Sequence, residues 1–326
     1  MVDLGDLSEP AQLLLLASLL AKDRSISHNG KAFLKELILR RDPRLLEAFA
    51  PHGRGDTDLI DGVQRLIDAE SQQMYNRLFS NYTLEAGKTL SKTERERRFL
   101  TADKSLIYGE VNFLSFVDIL RRVSVLVNPY PGGIFYDLGS GTGKAVFAAR
   151  LTQDFSHCVG IEILESLHHA AQKVTARYER FFRPFLHGGY PQDVTVSHSS
   201  FLESDWSDGD VVFANSTCFP SHLMEKLEWQ AELLKPGAVV ITFTKGLSSK
   251  QFELLDKKSF RMSWGPATVF VHRRIRPDGK PLPTMGFSLG DGGGASHRSR
   301  RGVPRVSADE EEDEGVEGGD DDPEED

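Results

Sequence analysis

The chain divides by the period of its apolar residues. Up to about residue 100 they recur at helical spacing. In "GKAFLKELILRR", Phe33, Leu34, Leu37 and Ile38 share one face, and Asp42-Pro43 ends the run. "DLIDGVQRLIDAESQQMYNRLFSNY" repeats the pattern through Leu59, Val63, Leu66, Ile67 and Leu78. The charged "SKTERERRFL" behind it predicts a helix with a solvated face. From about residue 130 short apolar runs alternate with amphipathic stretches. "GIFYDLG", "HCVGIEI", "VTVSHSSF", "DVVFAN" and "AVVITFT" predict strands, and "ATVFVHRR" adds a late one. "LESLHHAAQKVTARYERFF" and "SHLMEKLEWQAELL" predict helices between them. This alternation predicts an α/β fold, a parallel sheet with helices on both faces. After about residue 275 the pattern stops, and Gly, Pro, Ser and Arg dominate. Such a segment cannot bury enough apolar surface to offset its ordering entropy, so disorder is expected there.

The apolar run "AQLLLLASLLA" near the start is too short to span a bilayer, and acids rather than bases precede it. Ser8 as N-cap and Pro10 in the first turn predict a buried helix instead, and a chain without a membrane span. Composition changes this picture little. Two cysteines, Cys158 and Cys218, cannot build a disulfide framework, which suits a reducing compartment. No cluster with metal-ligand spacing is expected. Charge changes it more. Of the 48 acids behind the net charge of −9, 13 fall in residues 309–326, leaving 35 acids against 39 bases elsewhere. The body is therefore mildly basic, and Arg273, Arg274, Arg298, Arg300 and Arg301 are candidate contacts to nucleic acid.

The candidate chemistry sits in "DLGSGTGKA", residues 137–145. A phosphate loop would need a glycine at Leu138 and a hydroxyl at Ala145, so that reading fails. A dinucleotide loop lacks its third glycine in either register, which leaves it as an alternative. Asp137, Gly139, Gly141 and Gly143 instead fit an acid followed by G-x-G-x-G at a strand end. An acid there suits a cationic ligand such as S-adenosylmethionine, and glycines let the backbone approach it. Glu162, 19 residues past Gly143, is placed to accept ribose hydroxyls, and Phe201 to lie on an adenine face. Asn215 ends the run Val-Val-Phe-Ala; strand carboxyl ends bind ligands, and an asparagine buried there without partners is costly. Phe219, Phe243 and Phe270 stand near strand ends, as core or as walls of an acceptor channel. A solvent-exposed Lys144 is expected at the start of the next helix.

With "YGE" at 108–110, "DLGSGTG", "GIEI", "SFLESDW", "DVVFANSTCF" and the late "SWGPATVFVH" in this order, the chain resembles the non-SET histone-lysine methyltransferases of the disruptor-of-telomeric-silencing (Dot) family. The resemblance implies a Rossmann-like class I methyltransferase sheet over residues 99–275, after a helical region, 1–98, and before a basic-then-acidic tail, 276–326. It implies S-adenosylmethionine as methyl donor. Asp137 and the glycines would hold its amino-acid end, Tyr108 and Glu110 would cover it, Glu162 would take the ribose and Phe201 the adenine. Asn215 would stand at the point of methyl transfer. A histone lysine on the nucleosome would be the acceptor and the nucleus the location, with the cytoplasm as alternative. Departures include Ser200 for an acid, Lys144 for a glutamine, Val111 for a threonine, and Asn215-Ser216-Thr217-Cys218-Phe219 for Asn-Asn-Phe-Ala-Phe. They leave two alternatives open, a non-histone or small-molecule acceptor and a non-catalytic donor-binding module.

Overall fold

The computed structural model describes residues 26–45, 56–127, 132–186 and 192–276. The helix expected over 11–21 and the tail that carries Arg298, Arg300 and Arg301 lie outside the described residues. All described residues belong to one compact unit.

Its frame is a seven-stranded sheet in the order β3-β2-β1-β4-β5-β7-β6. The strands are β1 (Ile134–Leu138), β2 (His157–Glu162), β3 (Asp193–His198), β4 (Val211–Ala214), β5 (Val239–Phe243), β6 (Phe252–Met262) and β7 (Gly265–Arg274). The first five pair in parallel, as the sequence pattern predicts. β7 instead runs antiparallel to β5 and to β6, which corrects the expectation for the late strand. Only a tight turn at Ser263-Trp264 joins β6 to β7, too short for a parallel crossover. The sequence pattern misses β6 altogether. It is an edge strand with mostly exposed positions and an irregularity at Leu254/Asp256, so neither alternation nor apolarity marks it.

The central strands are buried on both faces, and their side chains divide between two cores. Phe135, Val211, Phe213 and Ile241 face one; Tyr136, Val212 and Val240 face the other. The second core is closed by α7 (Ser221–Ala231) through Met224, Leu227 and Ala231. The first, larger core takes in α1 (His28–Leu39), α2 (Asp56–Leu78), α4 (Phe113–Val127), α5 (Lys144–Thr152) and α6 (Glu165–Phe181). Phe33, Leu34 and Leu37 of α1 and Val63, Ile67 and Leu78 of α2 belong to it, so the faces read from their spacing are the buried ones. α1 and α2 thus share one core with the sheet.

α3 (Leu84–Arg97) carries the charged stretch, and most of it is solvated as expected. Glu94 is not. It is 2% exposed, and its carboxylate accepts from the backbone N–H groups of Glu165 (3.0 Å) and Ser166 (2.7 Å) and from the Ser166 hydroxyl. α6 has no side-chain cap of its own, so Glu94 satisfies its free N–H groups from another helix.

The chain order reverses between β1 and β4, which lie side by side at the centre. In open α/β sheets a ligand crevice forms outside the strand carboxyl ends at such a reversal. Asp137 and Asn215 are the residues this topology brings to that crevice.

Candidate active site

A cavity of about 370 Å³ opens at the reversal, within the range of small-molecule sites. Eight of the nine sequence-derived site residues line it: Tyr108, Glu110, Asp137, Gly139, Gly141, Glu162, Phe201 and Asn215. Gly143 stands behind, as the N-cap of α5 with φ +91°. Gly139 and Gly141 are also left-handed, at φ +87° and +56°, which a side chain would strain. At Gly141 a Cβ would in addition meet the Tyr108 ring at 2.6 Å. Beside Gly139 there is open space, so the backbone there is bare toward the cavity.

Asp137 is 3% exposed and its carboxylate has no hydrogen-bond partner among the described residues. Burial, and then the charge of Glu162, push its carboxyl well above the usual carboxylate range. A buried acid left open toward a cavity demands a cation or a donor. Glu162, at the end of β2, is raised by burial as well, against which backbone N–H groups work. Its two oxygens accept from Gly141 N (2.7 Å) and Leu164 N (2.8 Å), which fixes the glycine loop to β2. A carboxylate oxygen accepts more than one hydrogen bond, so Glu162, which also lines the cavity, keeps acceptor capacity.

The segment 108–110 lies over the loop. Tyr108 Oη donates to Glu110 Oε1 at 2.7 Å and lies 2.8 Å from Thr142 Oγ1. Burial and the charge of Glu110 push the Tyr108 phenol well above its usual range, so it remains a donor. Trp264 closes on the same segment: a Cβ on Gly109 would stand 3.2 Å from its ring. The pattern of apolar positions does not predict the β6–β7 turn that carries Trp264; the segment "SWGPATVFVH" stands out only through the family resemblance.

Asn215 follows β4, and its Oδ1 accepts from Thr217 Oγ1 at 3.0 Å. Ser216 is fully buried and exchanges hydrogen bonds with the Phe243 backbone, O at 2.7 Å and N at 3.1 Å, which ties the turn to β5. Phe201 and Phe219 stack at 5.8 Å and 16° as a flat aromatic wall. Ser200 Oγ accepts from Leu202 N at 3.2 Å, so it turns its own loop. Phe243 is core, packed on Phe213 at 5.0 Å, and Phe270 stacks on His272 away from the cavity. His198 Nε2 meets Ile163 O at 3.2 Å and its ring stacks on His168, outside the cavity. Of the two thiols, Cys158 is buried in β2 and Cys218 is exposed in the turn after Asn215.

Lys144 corrects the expectation of a solvated head. Its side chain is 12% exposed, with Nζ 3.5 Å from Glu110 Oε2 and 4.2 Å from the centre of the Phe79 ring. Burial lowers its ammonium from the ordinary value, and Glu110 works against that. The basic positions nearest the sheet are likewise engaged. Arg274 is 6% exposed, with its guanidinium on the carbonyls of Glu232, Gln251 and Ile275, and Arg273 pairs with Glu253 at 2.6 Å.

The family model for histone methylation protein DOT1 matches residues 92–262, just over half of the chain. The chain belongs to this family. Among curated DOT1-type relatives, a histone-lysine N-methyltransferase, H3 lysine-79 specific, of Cryptococcus neoformans is 28% identical over 182 residues, 54% of this chain and 27% of its own length. One of the same description from Dictyostelium discoideum is 30% identical over 165 residues, 49% of this chain and 8% of its own length. The chain therefore spans about a quarter or less of these relatives. Among solved structures, the rRNA methyltransferase aviRa of Streptomyces viridochromogenes aligns with 51% of this chain and 86% of its own, at 13% identity and a TM-score of 0.41. The matched DOT1 segment begins within α3 and ends with β6, so it contains the whole cavity wall from Tyr108 to Phe219.

Proposed function

We propose that this chain is a methyltransferase that uses S-adenosylmethionine to methylate a lysine of a histone within the nucleosome. The observation that carries the reading is the Asp137 carboxylate, buried, without a partner among the described residues and open to a cavity to which the neighbouring strand β4 presents Asn215. The donor supplies a methyl group on a positive sulfonium and an ammonium at its amino-acid end. Asp137 would hold that ammonium, Glu162 the ribose hydroxyls, and Phe201 the adenine face, while the bare backbone at Gly139 admits the ligand. Tyr108, fixed by Glu110 and Thr142, covers the loop and excludes water.

A lysine reacts only as the neutral amine, and apolar walls such as Phe219 disfavour ammonium. Asn215 Oδ1 is held by Thr217 and keeps a second lone pair for an N–H of the entering amine, which orients the nitrogen. Displacement at a sulfonium has a good leaving group, so orientation carries the catalysis and no general base is assigned. The basic tail residues Arg298, Arg300 and Arg301 would meet DNA phosphate, and chromatin in the nucleus would be the place of action. A second reading, methylation of another protein, is favoured by Arg273 and Arg274 being engaged within the fold.

The test is incubation with methyl-labelled donor and nucleosomes, free histones or cell extract. Label on nucleosomal histone that falls by about a hundredfold or more in Asn215→Ala supports the first reading. Label only on other proteins moves the conclusion to the second. Absence of donor binding sinks both.

A further inference from the structure

The turns that follow β4 and β5 meet residue by residue beside Asn215. Ser216 is bound to the Phe243 backbone, and one step further on Thr244 Oγ1 donates to Thr217 Oγ1 at 3.4 Å. Thr217 Oγ1 in turn donates to Asn215 Oδ1 at 3.0 Å, so two hydroxyls form a relay that ends on the amide oxygen. At 217 the chain departs from the family pattern, and the phenylalanine of that pattern has no hydroxyl to give. Thr244 is held at a cost. It stands at φ +68°, in a tight turn in which Lys245 N donates to Phe243 O at 2.7 Å. A β-branched residue in the left-handed region is strained, whereas glycine occupies it readily. Its own N–H donates to Thr268 O of β7 at 2.7 Å, so the sheet maintains the conformation. The Thr244 side chain is exposed, and core packing therefore does not account for it.

We propose that Thr217 and Thr244 are positioning residues that fix the amide orientation of Asn215. This rests on the reading of Asn215 given above, as the group that orients the entering amine. Half a turn of an asparagine amide exchanges its acceptor for two donors. A neutral amine has one lone pair, and that pair must point at the methyl carbon. An amide oxygen takes an N–H of the amine and leaves the lone pair available; an amide N–H would bind the lone pair itself. Thr217 pins the oxygen end, and Thr244 occupies an acceptor site of Thr217 so that the Thr217 proton is directed to Asn215. The strain at Thr244 serves the reaction and opposes the fold.

The test compares Thr217→Val, Thr217→Ser and Thr244→Gly with wild type. Methyl transfer is followed on whichever acceptor the wild type labels, alongside melting temperature and the side-chain amide resonances of selectively labelled asparagine. Loss of one neutral hydrogen bond predicts that Thr217→Val lowers kcat by about threefold to tenfold at unchanged KM for the donor. Thr217→Ser keeps the hydroxyl and is expected to retain wild-type turnover. Thr244→Gly is expected to lower kcat as well, yet to melt about 2–4 °C higher because strain is relieved. It carries the comparison where Thr217→Val does not fold. The Asn215 amide pair, assigned by its loss in Asn215→Ala, should shift in Thr217→Val and stay in place in Thr217→Ser, whatever the acceptor. Wild-type turnover in Thr217→Val and Thr244→Gly, an equal loss in Thr217→Ser, or a lower melting temperature of Thr244→Gly overturns the proposal while leaving the donor reading intact. Failure of wild type to label any acceptor overturns the methyl-transfer reading, and the role of the relay with it.

Discussion

Asp137 is a carboxyl whose folded-state pKa is raised by burial and by Glu162, so folding favours its protonated form. A cationic ligand binds the ionised form. Affinity for S-adenosylhomocysteine is therefore expected to rise with pH as Asp137 ionises, and calorimetry in buffers of different ionisation enthalpy would register the proton released. Asp137→Asn should flatten this limb and weaken binding by about tenfold or more, the scale of a charge-assisted contact. Stability should move the other way. A raised carboxyl stabilises the fold below its unfolded value and destabilises it as pH rises toward the folded value. At neutral pH Asp137→Asn should then melt higher, by about 2–4 °C for each kcal/mol in a chain of this size. A lower melting temperature would contradict the account. Asp137, the glycines and Glu162 were legible in the sequence because their spacing is local. The setting of Lys144 was not, since the rings beneath it come from a helix far upstream and no spacing rule relates them.

Between elements, the clearest case of long-range design is Glu94. Burial opposes its ionisation, but the Ser166 hydroxyl and the backbone N–H groups of Ser166 and Glu165, with Arg98, outweigh this and hold it at about 2. A depressed carboxyl contributes stability that is present above its unfolded value of 4.5 and lost as pH falls toward 2. Glu94→Gln is expected to cost about 2 kcal/mol at neutral pH, by loss of a charged cap from the start of α6. Acid titration of the variant should show a weaker stability loss between those two values; an unchanged acid limb would refute the assignment. The same stretch shows what periodicity misses. A run of charges reads as solvent-facing, and nothing within α3 reveals that one carboxylate completes another helix. β6 escaped for the related reason that an edge strand need not alternate, whereas β1, β2, β4 and β5 announced themselves through continuous apolar runs.

At the level of the molecule, α1 and α2 share one apolar core with the sheet, so they are expected to unfold together with it. Leu78, fully buried at the end of α2, tests this. Leu78→Ala should cost about 2–5 kcal/mol, as large-to-small core changes do, and far- and near-ultraviolet dichroism should still melt in one coincident transition. Two separated transitions would show that the helices form an independent unit. Both layers of the sheet were legible from the alternation of apolar runs, but the joining of the two regions was not, because the faces of α1 and α2 do not name their partner. The order of the strands decides one last matter. It sets the turn after β4 at the mouth of the crevice, where Cys218 is exposed, while Cys158 lies buried in β2 with its thiol pushed up to about 12 by burial. As the exposed one of the chain's two cysteines, Cys218 gives a thiol-selective reagent one address, three residues past Asn215. A fluorophore attached there would report on the turn between Asn215 and Phe219, both of which line the cavity, without occupying a lining position itself.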